Sequence, residues 1–350
     1  GIVGVNRDAI GCGLGAKPIA NIYGFCFGDP DDTNLIYRDQ NLSQPVLSPK
    51  RIMEGVIEGV KVGGNHSGIA TVHGFSYFHE SYKGKPLVFV GTIGLMPKTI
   101  QGKDSCIKQA LAGDYIVMLG GRVGLDGIHG ATFSSVEMNS GSPATAVQIG
   151  DPITQKKFSD AIIKEARDRG LYNSITDNGA GGISCSVAEM ARESNGCKVQ
   201  LDKVPLKYPG MQAWEIWISE SQERMTLAVA PEKWEEFHAL MKSRDVEATI
   251  IGEFTNSGQC QVNYHDETIM DIELEFLHNG LPRRQLKTKQ PSTIAQPSIK
   301  HSTEASNIKV QILEKISSLN HCSQEFISQQ YDHEVQGISV IKPLQGRGRV

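Results

Sequence analysis

The stretch that most constrains the fold is Gly120-Gly121-Arg122-Val123-Gly124-Leu125-Asp126-Gly127-Ile128-His129-Gly130-Ala131-Thr132-Phe133-Ser134-Ser135. It follows the run Asp114-Tyr115-Ile116-Val117-Met118-Leu119, whose apolar residues read as a buried strand. The pattern is therefore strand, glycine-rich turn, then small polar residues. Glycine adopts positive φ and lets a backbone approach a neighbour closely. Successive N–H groups in such a turn can form an anion-binding concavity. A wide surface loop has the same composition, but Arg122, Asp126 and His129 among the glycines favour a ligand loop.

A second such turn is Ser174-Ile175-Thr176-Asp177-Asn178-Gly179-Ala180-Gly181-Gly182-Ile183, ahead of a helix expected over 186–194. Asp177 is placed there as a metal ligand, with helix N–H groups available to phosphate. An Asx-turn role fits it equally well. Near the start, Gly11-x-Gly13-x-x-Ala16 formally matches a dinucleotide fingerprint. That fingerprint needs a preceding strand and a following helix, and Pro18 stands where the helix would run. The pair Arg7-Asp8 combines a bidentate phosphate ligand with a Mg²⁺ ligand, although two such residues alone read as a surface ion pair. The polar run Ser219-Glu220-Ser221-Gln222-Glu223-Arg224 precedes a strand expected at 225–230. Such a run is a loop, or a set of hydrogen-bonding groups aimed at a ligand.

Strands and helices mix along the chain, so the fold class is α+β with mixed α/β character. Further strands are expected at 21–27, 70–78, 86–94 and 249–254. Ser48 and Pro49 start a helix as N-cap and first helical residue. Ile52, Val56 and Val60 mark its core face and Gly63-Gly64 its end. A short helical piece is expected at 105–112. A helix over 151–170 presents Phe158, Ile162, Ile163 and Ala166 to a core. Another over 231–243 puts Trp234, Phe237, Leu240 and Met241 on one face. Residues 285–307, rich in Lys, Gln, Ser, Thr and Pro, read as a linker, with a helix following at 308–319. A chain of 350 residues exceeds one ordinary core. The expected division is 1–108, 109–282 and 283–350.

A net charge of −4 gives no general attraction to nucleic acid or to an anionic membrane. No apolar run reaches the length of a membrane span. The seven cysteines form no C-x-x-C pair. Their odd number argues against a disulfide framework and for reduced thiols in a cytoplasm.

These motifs together resemble the formylglycinamidine ribonucleotide synthetases. Those are ATP-dependent, double-length members of the aminoimidazole ribonucleotide synthetase-like superfamily. Gly120 to Ser135 is similar to that family's Gly-Gly-Arg-Thr-Gly-Arg-Asp-Gly-Ile-His/Gly-Gly-Ala-Thr-Phe-Ala-Ser motif. Segments 1–17, 147–152, 177–182 and 209–225 agree in the same order, and Tyr331 to Gly337 is similar to the start of the family's second half. The resemblance implies that 1–108 is part of an N-terminal domain that pairs with its counterpart into a barrel. It makes 109–282 a C-terminal α+β domain and 283–350 a linker into the second half of a pseudo-twofold enzyme.

The implied reaction belongs to purine biosynthesis. ATP activates the formamide oxygen of formylglycinamide ribonucleotide as an iminophosphate, and ammonia released from glutamine displaces phosphate. Mg²⁺ would neutralise charge on the transferred phosphoryl group. Matched residue by residue, Arg7 would hold the substrate and Gln148 would contact it. Glu220, Ser221 and Gln222 would line its site, and Asp8 and Asp177 would bind Mg²⁺. Only the resemblance singles out Gln148. The family's Ser-His-Asn-His-Pro segment, with its catalytic histidine, would precede Arg7. No catalytic residue is therefore assigned, and the chain is expected to be a central fragment, inactive alone.

Val123, Leu125, Ala70 and His79 depart from the family's threonine, arginine, proline and aspartate, and Asn178 and Cys185 are unusual for their motifs. Some members carry glycine in place of His129, which makes that residue structural or substrate-adjacent. The implied partners are the ribonucleotide and a glutaminase subunit or domain, with neither nucleic acid nor membrane. Barrel surface without its partner implies self-association. The alternatives are a noncatalytic module of the same fold and another ATP-dependent superfamily member. The latter are shorter and lack the Glu220-Ser221-Gln222 context.

Overall fold

The computed structural model describes residues 1–136, 146–290 and 308–340. The linker reading at 291–307 and the last ten residues of the third expected segment lie outside them. The N-terminal part comprises α1 (Ile2–Ile10), β1 (Lys17–Phe27), α2 (Pro49–Ser67), β2 (Ala70–Phe78) and β3 (Leu87–Leu95). A small hairpin follows, β4 (Thr99–Ile100) with β5 (Lys103–Asp104). Next come β6 (Tyr115–Gly120), α3 (Gly130–Ser135), α4 (Pro152–Ala161), β7 (Ser174–Asp177), α5 (Ile183–Ser194) and β8 (Cys197–Gln200). They are followed by α6 (Ala213–Ile218), β9 (Arg224–Val229), α7 (Trp234–Ser243), β10 (Ala248–Phe254), β11 (Gln259–Tyr264) and β12 (Glu267–Glu273). The helices α8 (Leu274–Asn279), α9 (Ile308–Ser317) and α10 (Glu325–Ser328) end the series.

Two main sheets result. The first has the order β2-β1-β3, with β1 parallel to β2 and antiparallel to β3. The second has the order β12-β11-β8-β10-β6-β9-β7 and is antiparallel except where β11 meets β8. Successive strand residues point to opposite faces, and β6 shows the consequence. Ile116 and Met118 enter one core with α5 and α6, while Val117 and Leu119 enter another with α4 and α7. The strand is apolar throughout because both faces are covered. Burying a side chain such as Ile116 or Leu119 contributes roughly 1.5–3 kcal/mol. The first sheet packs Tyr23, Phe25, Phe27 and Phe78 against Ile57 and Val60 of α2, with Ile327 and Tyr331 closing that core. Its other face leaves Phe75, Tyr77, Phe89 and Ile93 exposed. Among the described residues, no helix is long and apolar enough to cross a membrane.

Most expected elements form, with four corrections. Helix α2 starts with Ser48 accepting from the Arg51 amide, but it runs through Gly63-Gly64 and stops at Gly68, φ +66°. A Cβ on Gly63 would lie 2.2 Å from Ile2 Cγ2, so this glycine serves close helix packing rather than termination. The helical piece expected at 105–112 is absent. The amides of Gln109, Ala110 and Leu111 are drawn instead to the Asn173 carbonyl and the Glu193 and Asp114 carboxylates. The helix expected from 186 begins at Ile183. Finally, α1 was not expected. Its buried face of Ile2, Val3, Asn6, Arg7 and Ile10 includes two polar residues, which masks the helical period. The order of α1, turn and β1 is the reverse of a dinucleotide fingerprint.

Candidate active site

Arg7 is carried on the buried face of α1 and is only 2% exposed. Its guanidinium donates to Gln222 Oε1 at 2.7 Å and to Gln155 Oε1 at 3.3 Å. Burial lowers its pKa, while Glu223, Asp177 and Asp8 favour its charge. Its Nε is buried without a hydrogen-bond partner. A buried guanidinium held by neutral amides and surrounded by acids at a distance keeps much of its binding capacity for an anion.

Glu220, which is 4% exposed, joins the two glycine-rich turns. Its Oε2 accepts from the Ala131 amide at 2.9 Å and from Gln148 Nε2 at 2.7 Å, and its Oε1 accepts from the Gly181 amide at 3.2 Å. Gln148 itself lies at the surface. Ser221 is fully buried. Its Oγ accepts from the Gly124 amide at 3.0 Å and donates toward Asp126 Oδ1 at 2.9 Å. It thus fixes the first turn from below. Gln222 accepts from Arg7 and donates to the Glu220 carbonyl. The polar run is therefore neither a plain loop nor a row of free ligands. It is a buried scaffold from which Gln222 reaches Arg7.

The first glycine-rich turn is no anion cradle over most of its length. The amides of Gly121, Val123, Gly124, Leu125, Gly130 and Ala131 are all taken by protein acceptors. At the second turn a Cβ on Gly182, φ +58°, would fall 1.9 Å from the Ser219 carbonyl oxygen. Only glycine permits that approach.

Asp8 leaves α1 at the surface, and Asp177 ends β7 beside it. Both carboxyls sit above their usual range. Partial desolvation is the main cause for each, and the charge of Asp8 pushes Asp177 further. The charge of one acid raising the carboxyl of the other is what a cation between them would relieve. Hard oxygen donors suit Mg²⁺, which often takes only one or two carboxylates and completes its shell with water and phosphate. Among the described residues, no group of three His, Cys, Asp or Glu side chains gathers as a metal site.

Sequence reasoning missed Lys108 and singled out Arg224 and Glu223 only as members of the polar run. Lys108 donates to the carbonyls of Gly11 and Ile175, tying the turn after α1 to β7, and burial lowers its pKa. Arg224 is wholly buried and donates to the carbonyls of Ser219 and Ser221, with its pKa lowered to about 10 by burial. Glu223 is 5% exposed at φ +57°. The only available signal for the last two was their place in the polar run. A cavity of about 660 Å³ opens at the start of the first glycine-rich stretch, lined by Gly120, Arg122, Lys157, His238 and Glu247 among others, and by none of the residues that the resemblance assigns to the site. Its Arg122 and Lys157 are already paired with Glu247 and Asp245. The converging groups around Arg7 are the better candidate because buried polar atoms there still lack partners.

Sheet, turns and site define a class. The family described as AIR synthase related protein, N-terminal domain, matches residues 1–96, and its C-terminal domain counterpart matches 112–265. The chain belongs to the AIR synthase related family. Within it, the chain is 35% identical over 351 residues to the phosphoribosylformylglycinamidine synthase subunit PurL of Picrophilus torridus, covering 99% of this chain and 44% of that protein. Three Thermotoga maritima structures are also similar. The structure of PurLQS gives a TM-score of 0.69 at 26% identity, over 99% of this chain and 49% of that one. PurL complexed with FGAR gives 0.68 at 29%, over 84% and 44%. PurL complexed with ATP gives 0.62 at 28%, over 83% and 42%. The chain spans less than half the length of these proteins.

Proposed function

We propose that the protein containing this chain converts formylglycinamide ribonucleotide to formylglycinamidine ribonucleotide, using ATP and ammonia derived from glutamine. The observation that carries this reading is the hydrogen-bonded run from Arg7 through Gln222 and Glu220 to Gln148, with Asp8 and Asp177 acting on Arg7. The likeness to PurL structures complexed with FGAR and with ATP supports the same reading. The formamide oxygen is a poor leaving group. It attacks the terminal phosphoryl group, ADP departs, ammonia adds at the activated carbon, and phosphate leaves as the nitrogen gives up its protons.

In this scheme Arg7 holds an anionic part of the ribonucleotide, and Gln222 orients that guanidinium. Gln148 contacts the substrate from the segment that Glu220 holds, and Ser221 keeps the glycine-rich wall in place. Asp8 and Asp177 would hold Mg²⁺, which offsets charge on the phosphoryl group when bound. The domain limits 1–108, 109–282 and 283–350, a cytoplasmic setting and a glutaminase subunit or domain complete the proposal. Ammonia-dependent release of ADP from ATP, in the full-length protein, tests it. Release must require formylglycinamide ribonucleotide, and its absence would end this reading.

Two further results are expected. In the full-length protein, Asp177→Asn raises the Mg²⁺ concentration needed for half-maximal rate by roughly tenfold or more. An unchanged Mg²⁺ dependence would remove Asp177 from the metal. The chain by itself self-associates through the apolar face bearing Phe75, Tyr77, Phe89 and Ile93. A sharp monomer peak in size-exclusion chromatography would contradict that.

A further inference from the structure

Glu223 has no role in the scheme above, yet it is the most conflicted side chain near Arg7. It adopts a positive φ that a non-glycine residue rarely holds without a reason. Its carboxylate is buried, and Oε1 has no hydrogen-bond partner. The Asp151 amide favours the charge on this carboxylate, and a Cβ on Gly150 would lie 3.3 Å from Oε1. Glu223 therefore sits beneath Gly150 and Asp151, at the start of α4. Its own carbonyl accepts from Gly121 at 2.8 Å, which anchors it to the first glycine-rich turn. Among the acids that favour the charge on Arg7, it acts most strongly, ahead of Asp177 and Asp8. The segment above it carries Gln148, which reaches Glu220. One carboxylate thus packs under the segment of one substrate-directed group and, without an ion pair to it, favours the charge on the other.

We infer that Glu223 is a positioning residue: it holds Arg7 and the Gln148-bearing segment in a single arrangement before the ribonucleotide arrives. The inference rests on the proposed substrate roles of Arg7 and Gln148. Preorganised groups bind without having to be ordered first, and small misplacements of such groups are costly. A residue acting this way affects substrate binding more than the chemical step.

The test uses the full-length protein with Glu223→Gln, Glu223→Asp and Glu223→Ala, and measures kcat and KM for formylglycinamide ribonucleotide and for ATP. Glu223→Gln keeps the size of the side chain and an oxygen beneath Gly150, and it removes the charge that Arg7 faces. The expected result is a rise of about tenfold in KM for the ribonucleotide, with kcat and the KM for ATP within about twofold. Glu223→Asp, which restores the charge on a shorter arm, falls between parent and Gln variant. A ribonucleotide KM within twofold of the parent in Glu223→Gln overturns the inference, as does an equal loss across all three parameters. If Glu223→Ala fails to fold, the near-isosteric Gln variant decides. Failure of the substrate assignment itself would show separately, as an Arg7→Gln variant with unchanged ribonucleotide KM.

Discussion

Glu223→Gln will unfold at a higher urea concentration than the parent at pH 8, and at nearly the same concentration at pH 5. Burial pushes the Glu223 carboxyl up to about 7 in the folded protein, against about 4.5 when solvated. The Asp151 amide, Arg7 and Lys207 pull it down and the Asp151 charge pushes it up, but each of these is smaller than the burial effect. Across the window from about 4.5 to about 7, the folded state holds a proton that the unfolded state has released. Stability therefore falls as pH rises through that window, and the loss is complete above it. The full displacement corresponds to about 3 kcal/mol. Glutamine is neutral at every pH and avoids that loss. A residue kept at this cost in a buried, strained position is one whose charge serves function, the usual trade between stability and activity. An identical stability difference at pH 5 and pH 8 would show that the Glu223 carboxyl titrates elsewhere.

Glu220→Ala is expected to have the opposite effect, a loss of about 2 kcal/mol. The carboxylate accepts from the Ala131 and Gly181 amides and from Gln148. Removing it leaves part-buried donors on both glycine-rich turns without their protein acceptor. A hydrogen bond to a charged group contributes roughly 1.5–3 kcal/mol, and water reaching these part-buried donors offsets some of the summed loss. Hydrogen exchange should report the same event locally, with protection lost at Ala131 and Gly181 ahead of the strands β6 and β9. Ribonucleotide-dependent activity should fall with it, because Gln148 loses the group that orients it. A change under about 1 kcal/mol, with exchange unaltered at both turns, would mean that Glu220 does not join them.

The sequence reading found what is local and periodic. Strand β6 was legible because a strand covered on both faces is apolar throughout. Helix α2 was legible at its start because the N-cap serine and the first-turn proline are chemical signals. Its end was not, because Gly63 answers to Ile2, some sixty residues away in sequence, rather than to the helix itself. The piece at 105–112 has helical composition, but its amides are claimed by Asn173, Glu193 and Asp114, and no local pattern announces such partners.

The candidate site divides in the same way. Arg7, Asp8, Asp177 and the 219–224 run stood out as residue types next to glycine-rich turns. Gln148 came only through the resemblance, since its surface position beside α4 carries no local signal. Glu223 was hidden in plain view. Within a run of polar residues nothing distinguishes a surface acid from one that the fold will bury under Gly150 and Asp151. The glycine-rich stretch that marks the family proved to be wall rather than cradle, its amides consumed by Glu220, Ser221, Glu223 and Tyr208 among others.

The central claim is that the arginine buried on α1, held by Gln222 and Gln155, is the anchor of the ribonucleotide. Its most direct test is kcat/KM for formylglycinamide ribonucleotide in ammonia-dependent ADP release by the full-length Arg7→Gln protein, with its unfolding transition checked alongside. A fall of about a hundredfold or more, in a protein that still unfolds cooperatively, is the expected result. A value within about threefold of the parent would place the substrate elsewhere and contradict the site described.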